Sequence, residues 1–233
     1  IFHQRFSTNT APSWGLAQPF RTLAHNGEIN TLKGNINWMK VHEQEMQSPF
    51  FQNIENLKPV IPSGNSDSAS LDNVFELLTT SGHSAPLAKL ILIPDAWSKK
   101  SKLLPKEHLQ LFNFLNSSME PWDGPAAIAG TDNEWVIVAS DRNGLRPMRY
   151  TVSSDKLLFA GSETGMIELN EEKIIEKGRL GPGEILGIRI EKGKIFKNTQ
   201  IKNYLAKEYK HFNNQIINLD KKFPIQNEKS LFE

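Results

Sequence analysis

The chain has 233 residues, a formal net charge of +1 and a hydrophobic fraction of 38%, with 13 Phe and 5 Trp. This length suits one large domain, or one domain followed by a linker, and the apolar content is sufficient for a packed core. Because 27 Lys and Arg are matched by 26 Asp and Glu, the composition argues against a nucleic-acid partner. The sequence has no apolar run of about 18 residues, so we expect no membrane-spanning segment.

Cysteine is absent from these residues, which excludes disulfides, thiolate metal sites and a cysteine nucleophile within them. No two histidines have the spacing of metal ligands, so we expect no metal site here. We interpret His3 and His25 as structural histidines with satisfied ring nitrogens.

The first part of the chain predicts two strands, a helix and a loop. Residues 1–10 and 20–25 fit strands, and residues 31–45 fit a helix. Residues 48–65 contain several Pro and a Gly and are typical of a loop. The side chains expected on the buried side of this helix are Ile36, Met39 and Trp38.

The clearest helix in the sequence covers residues 68–81. Its apolar side chains recur at i, i+3, i+4 and i+7. A Ser or Asp just before it can cap the free N–H groups, and Gly82 suits its end. A second helix is predicted from Pro105 to about Ser117. The residues expected to face inward are Leu71, Val74, Phe75 and Leu78 in the first helix and Leu109, Phe112 and Leu115 in the second.

From residue 126 the pattern changes to short strands joined by turns. Hairpins are predicted over residues 126–139, 149–160 and 184–197. Residues 200–212 fit a further helix, and the remainder is typical of a linker whose charges form a solvated face.

The stretch at residues 23–34, Leu-Ala-His-Asn-Gly-Glu-Ile-Asn-Thr-Leu-Lys-Gly, predicts a strand end, a sharp turn at Asn26-Gly27 and a helix start. An isolated Asn-Gly is usually a plain turn. The alternative is an oxyanion hole, because the Asn26 side-chain amide and the Gly27 backbone N–H can point at one spot.

Several ordered blocks resemble the glutaminase domain of glutamate synthase, a class II glutamine amidotransferase of the N-terminal-nucleophile hydrolases. The first is His-Gln-Arg-Phe-Ser-Thr-Asn-Thr at residues 3–10, and Leu-Ala-Gln-Pro-Phe-Arg follows at residues 16–21. Residues 23–39 continue the similarity without a gap. It resumes at residues 66–78, 120–127, 141–150 and 177–183.

The resemblance implies an α+β fold, the four-layer αββα sandwich of N-terminal-nucleophile hydrolases, present here as a partial domain. It places the amidotransferase domain at residues 1–197 and a linker toward the next domain at residues 198–233.

The same resemblance assigns roles to five residues. Arg5 would clamp the α-carboxylate of glutamine with paired hydrogen bonds, and Thr8 would line the same pocket. Asn26 and Gly27 would form the oxyanion hole. Asp67 would pair with the α-ammonium group, although it could also cap the helix that follows. Asp72 is a weaker candidate for this contact.

The expected nucleophile of this family is an N-terminal Cys whose own α-amino group acts as the base. Residue 1 here is Ile. We therefore expect a fragment that lacks the nucleophile and is inactive alone, the alternative being a homologue that has lost its Cys.

By resemblance, the parent enzyme would hydrolyse L-glutamine to glutamate and pass the ammonia to 2-oxoglutarate in a synthase domain of the same polypeptide. The full-length enzyme would be an oxidoreductase carrying FMN and an iron–sulfur cluster outside these residues. Its electron donor would be ferredoxin or a nicotinamide-oxidising small subunit, and its compartment the cytoplasm or the plastid stroma. Two alternatives stay open: another class II amidotransferase, and a non-catalytic glutamine-binding module.

Overall fold

The computed structural model describes residues 1–4, 11–96, 104–163 and 165–210. Within these residues the main elements are β1 (Leu23–Gly27), α1 (Leu32–Glu45), α2 (Asp67–Thr80), α3 (Ala85–Leu92), α4 (Lys106–Ser118), β2 (Ala126–Thr131), β3 (Trp135–Ser140), β4 (Arg149–Ser153), β5 (Leu158–Gly161), β6 (Ile174–Arg179), β7 (Ile185–Arg189), β8 (Lys194–Phe196) and α5 (Asn198–Glu208).

The strands form two antiparallel sheets. The five-stranded sheet has the order β1-β2-β3-β7-β8, and the three-stranded sheet has the order β5-β4-β6. The predicted hairpins β2–β3, β4–β5 and β7–β8 are confirmed. Strand β6 was not predicted, because every second side chain in Ile-Ile-Glu-Lys-Gly-Arg is exposed and the sequence there is strongly charged.

All five helices bury side chains in one large hydrophobic cluster against the five-stranded sheet. Each helix contributes at least one buried side chain to this cluster, for example Met39 from α1, Phe75 from α2, Leu90 from α3, Leu115 from α4 and Leu205 from α5. Strands β1, β2, β3 and β7 contribute large apolar side chains from the sheet, which are Leu23, Ile128, Ile137 and Ile185. The helices therefore form a single layer on one face of this sheet.

A second, smaller cluster lies between the two sheets. Ala127, Val138 and Leu186 enter it from the five-stranded sheet, and Tyr150 and Leu158 pack against it from the three-stranded sheet. The described residues thus form three successive layers, namely helices, the five-stranded sheet and the three-stranded sheet. The α+β class is confirmed, and the fourth predicted layer has no counterpart in the described part of the chain.

The predicted helix at residues 68–81 is α2, and its four apolar residues are buried. The side-chain oxygen of Ser66 accepts a hydrogen bond from the Ala69 N–H at 3.1 Å, which identifies Ser66 as the N-cap. Gly82 follows the helix with φ of 95°, a conformation that favours glycine.

Three expectations about local structure are wrong. Residues 1–4 were predicted as strand but have no regular secondary structure. Trp38 is 51% exposed, because Asn35 and Met39 occupy the buried face of α1. Leu109 is only half-buried. The buried face of α4 is formed instead by the i, i+3, i+4, i+7 set His108, Leu111, Phe112 and Leu115.

Helix α5 lies in the region predicted as linker, residues 198–233, and this placement needs correction. Ile201 and Leu205 are fully buried, and α5 packs on α4 and β7. Residues 198–208 therefore belong to the packed body of the domain. Residues 211–233, where the rest of the predicted linker falls, lie outside the described residues.

No helix in the described part of the chain is both long and apolar enough to cross a lipid bilayer.

Candidate active site

Asn26 and Gly27 are the last two residues of β1, where they lie opposite Ala127 and Ala126 of β2. The predicted sharp turn at this dipeptide is therefore wrong, since both residues are paired in an extended strand. Gly27 has φ of 148°, and a Cβ built on it would lie 1.7 Å from the carbonyl oxygen of Pro125. The close approach of the neighbouring backbone, and not a turn, requires glycine here.

The Asn26 side chain crosses from one sheet to the other. Its Nδ2 donates a hydrogen bond to the Ser162 Oγ at 2.8 Å, and Ser162 directly follows β5 of the three-stranded sheet. An amide nitrogen carries two N–H donors, so this bond orients the side chain without using its whole donor capacity. The sequence interpretation assigned Ser162 no role at this candidate site.

Asp67 is the first residue of α2, and both of its carboxylate oxygens accept hydrogen bonds. Oδ2 accepts from the Ile29 backbone N–H at 2.8 Å, just beyond the end of β1. Oδ1 accepts from the backbone N–H and the hydroxyl of Ser68, at 2.7 and 3.3 Å. The carboxylate therefore joins the start of α2 to the chain that leaves β1.

His25 precedes the Asn-Gly pair and is 2% exposed. Its Nδ1 lies 2.7 Å from the Ser68 Oγ, and its backbone N–H donates to the Gln18 Oε1 at 2.7 Å. Burial lowers the pKa of His25, and the opposing effect of the Asp67 carboxylate is smaller. The imidazole is therefore neutral at pH 7.

The interpretation of both histidines as fully satisfied is wrong. The Nε2 of His25 and the Nδ1 of His3 are buried and have no hydrogen-bond partner within the described residues. For His25, Nδ1 contacts Ser68, and the Pro125 backbone acts on the ring as a hydrogen-bond acceptor that raises its pKa, although the contact does not reach ordinary hydrogen-bond geometry.

The structure brings three of the five predicted site residues together. Asn26 and Gly27 at the end of β1 lie beside Asp67 at the start of α2, through the contacts of Ile29 and Ser68. The other two, Arg5 and Thr8, lie outside the described residues.

Asp72, the weaker candidate, anchors β1 to α2. It is 3% exposed, and its Oδ1 accepts hydrogen bonds from the Thr22 N–H at 2.9 Å, the Thr22 hydroxyl at 2.6 Å and the Leu23 N–H at 3.0 Å. These bonds satisfy the backbone at the start of β1, so Asp72 has a structural role.

The segment at residues 120–125 supports the chain that leaves β1. The carbonyl oxygens of Asp123 and Pro125 accept from the Asn30 and Glu28 N–H groups, at 2.8 and 2.9 Å. Gly124 lies between them with φ of 154°, and a Cβ there would lie 1.9 Å from the Glu28 carbonyl oxygen. This contact brings together two of the blocks that carry the family resemblance.

A buried carboxylate holds the loop that follows β3 in place. Asp141 is 1% exposed, and its carboxylate accepts from the backbone N–H groups of Ala126, Asn143, Leu145 and Arg146. This holds the loop at residues 141–146 beside Ala126, the partner of Gly27 in the sheet.

No group of three or more His, Asp or Glu side chains in the described ranges is placed to hold a metal ion. The candidate site offers hydrogen-bond donors from β1 and a carboxylate from α2. Such a set can stabilise an oxyanion and bind a cationic group.

A family model described as glutamine amidotransferases class-II matches residues 1–214. The chain therefore belongs to the class II glutamine amidotransferases, as the sequence blocks predicted.

The proteins of similar sequence that carry a name are glutamate synthases. The large chain of the NADPH glutamate synthase of Azospirillum brasilense is 55% identical over 207 residues, which cover 88% of this chain and 14% of that protein. The chloroplastic ferredoxin-dependent glutamate synthase 2 of Arabidopsis thaliana is 44% identical over 209 residues, which cover 88% of this chain and 13% of that protein. The chain is thus a glutamine amidotransferase domain that spans a small part of the length of these relatives.

Among solved structures, the glutamine phosphoribosylpyrophosphate amidotransferase of B. subtilis, complexed with ADP and GMP, is similar with a TM-score of 0.45 and 21% identity. The match covers 84% of this chain and 33% of that chain.

Proposed function

We propose that this domain is the glutaminase site of a glutamate synthase. It hydrolyses L-glutamine to glutamate and supplies ammonia to a synthase domain of the same polypeptide, where 2-oxoglutarate accepts it. The observation that carries this proposal is the attachment of Asp67 to the strand end that bears Asn26 and Gly27, through the 2.8 Å bond to Ile29. A carboxylate and two oxyanion donors side by side suit a substrate with an ammonium group and an amide.

In the proposed reaction a thiolate attacks the glutamine side-chain amide and forms a γ-glutamyl thioester. Ammonia leaves, and water then hydrolyses the thioester to glutamate. The Asn26 amide and the Gly27 N–H stabilise the oxyanion that forms in both steps, an effect worth on the order of 100- to 1,000-fold in rate per donor. These 233 residues contain no Cys, so the nucleophile comes from a different part of the polypeptide.

Recognition of the amino-acid end of glutamine completes the proposed site. The Asp67 carboxylate pairs with the α-ammonium group, Arg5 clamps the α-carboxylate and Thr8 lines the pocket. Oppositely charged groups in a partly buried site give short, charge-assisted hydrogen bonds, which select glutamine over simple amides.

The iron–sulfur cluster implied by the family resemblance does not fit these residues. Clusters of this kind are held by Cys thiolates, and this chain has none. We place the cluster and FMN, and the contact with ferredoxin or a nicotinamide-oxidising subunit, in other parts of the polypeptide. We place the enzyme in the cytoplasm or the plastid stroma, and the Arabidopsis thaliana relative is named as chloroplastic.

The role of Asp67 is tested by the variant Asp67→Asn in the whole polypeptide. We expect the KM for glutamine to rise about 10- to 100-fold, because a charge-assisted hydrogen bond to the ammonium group is replaced by a neutral one. Steady-state kinetics of glutamine hydrolysis measure this. Asp155→Asn, at an exposed hairpin turn where Asp155 forms a 3.0 Å ion pair with Lys173, serves as the charge-matched control. An unchanged KM in Asp67→Asn would contradict the assignment.

A further inference from the structure

The two oxygens of Asp67 contact the polypeptide on both sides of the Asn26-Gly27 pair. Oδ2 accepts from the N–H of Ile29, two residues after Gly27. Oδ1 contacts Ser68, whose hydroxyl lies 2.7 Å from the Nδ1 of His25, the residue directly before Asn26. One carboxylate therefore holds the strand end from both directions.

The direction of these hydrogen bonds follows from what each group can donate. A carboxylate accepts only, so the Ser68 hydroxyl proton points to Asp67 and its oxygen accepts from the His25 Nδ1–H. The result is a directed chain from His25 through Ser68 to Asp67.

We propose that His25 and Ser68 are positioning residues that fix the Asp67 carboxylate relative to the Asn26-Gly27 strand end. This inference rests on the proposed function, in which Asp67 binds the α-ammonium group and the strand end binds the developing oxyanion. Those two points of glutamine are joined by a short methylene chain. Their binding groups must therefore keep a fixed spacing if both contacts are to form in one transition state.

Two variants break the chain and two preserve it. Ser68→Ala removes the middle hydroxyl, and His25→Leu removes the Nδ1 donor. His25→Asn keeps an N–H donor close to the position of Nδ1. Ser70→Ala is the matched control, because Ser70 is a buried serine of the same helix whose hydroxyl donates to the Ser66 carbonyl at 2.8 Å.

The readout is a ratio of two kcat/KM values in the whole polypeptide, for glutamine and for glutaramate, which is glutamine without its α-amino group. Only the glutamine value depends on the contact between Asp67 and the ammonium group. A variant that merely folds less well lowers both values equally, since only the folded fraction reacts. The ratio is therefore insensitive to a purely structural role.

We expect Ser68→Ala and His25→Leu to reduce this ratio by about 10-fold or more, because small displacements of a binding group lower rates by up to roughly 100-fold. His25→Asn and Ser70→Ala should keep the ratio within about 2-fold of the wild-type value. The inference is overturned if Ser68→Ala matches Ser70→Ala.

Asp67→Asn separates this inference from the proposed function. If the wild type does not hydrolyse glutamine, or if Asp67→Asn leaves the ratio unchanged, the proposed function fails. If Asp67→Asn abolishes the discrimination while Ser68→Ala and His25→Leu do not change it, the positioning role alone is refuted.

Discussion

At the scale of single residues, the end of β1 depends on a backbone contact that admits no side chain. Gly27 lies opposite Ala126, and the Pro125 carbonyl oxygen would be 1.7 Å from a Cβ at this position. The Glu28 N–H donates to the same carbonyl at 2.9 Å. Residue 27 therefore fixes how closely the segment at residues 120–125 approaches the site.

Gly27→Ala is expected to destabilise the domain by about 3 kcal/mol or more. The backbone at residue 27 or at Pro125 must move to relieve the clash with the new Cβ, and the residue would keep a strained φ. Urea unfolding followed by circular dichroism measures the loss. Gly34→Ala is the control, since nothing lies within 4 Å of a Cβ built at this helical position in α1. There we expect a gain of about 0.5–1 kcal/mol. Equal unfolding midpoints for the two variants would contradict the steric argument.

At the scale of elements, a buried charge cluster joins α3, α5 and the turn before β7. Lys89 of α3 is 1% exposed and donates to the Gly183 carbonyl oxygen at 3.0 Å. Lys202 of α5 donates to Asp95, which follows α3. Burial lowers the pKa of Lys89 to about 8, and the Asp95 carboxylate opposes this only in part.

This pKa implies a pH-dependent stability. The ordinary value for lysine is 10.5, so between about pH 8 and pH 10.5 the unfolded chain binds more protons at residue 89 than the folded chain does. The free energy of unfolding then rises with pH over this range, by on the order of 3 kcal/mol from this residue. Below about pH 8 both states are protonated, and the contribution does not vary.

Lys89→Met has a similar length but no charge, so it should lose this rise. We expect the stability difference between wild type and variant to shift by about 3 kcal/mol in favour of the wild type from pH 8 to pH 10.5. Chemical unfolding at several pH values measures it. Lys40→Met, on the exposed face of α1, controls for general effects of removing a lysine. Parallel profiles for wild type and Lys89→Met would rule out the argument.

At the scale of the whole molecule, the site lies where the helical layer and the two sheets meet. Asp67 comes from the helices, Asn26 from the five-stranded sheet, and Ser162 from the end of a strand in the three-stranded sheet. Three layers thus hold the proposed oxyanion donors and the proposed ammonium site. Displacing one layer would change the geometry of the whole site.

The 233-residue chain by itself is expected to release no ammonia from glutamine above the blank, because it contains no cysteine nucleophile. A coupled ammonia assay on the purified chain measures this, and circular dichroism confirms that the chain is folded. The whole polypeptide serves as the positive control. Turnover by the isolated chain would show that a different nucleophile acts.

Local sequence patterns predicted the elements whose determinants lie close together in the chain. Leu71, Val74, Phe75 and Leu78 recur with the period of a helix, and this period is visible without any tertiary contact. The hairpins follow from short turns between apolar runs. Strand β6 lacks such a signal, because its exposed face carries charged side chains and its inner face is only half-buried.

The sequence by itself determined the family, through ordered blocks that include the Asn26-Gly27 pair and Asp67, and it determined the main helices and hairpins. Only the tertiary structure decided that Gly27 ends a strand, that Asn26 contacts Ser162 across a separation of 136 residues, and that Asp67 reaches His25 through Ser68. The physical reason is that periodicity and turn chemistry act over a few residues. Close backbone approach and side-chain hydrogen bonds between layers depend instead on how distant segments pack.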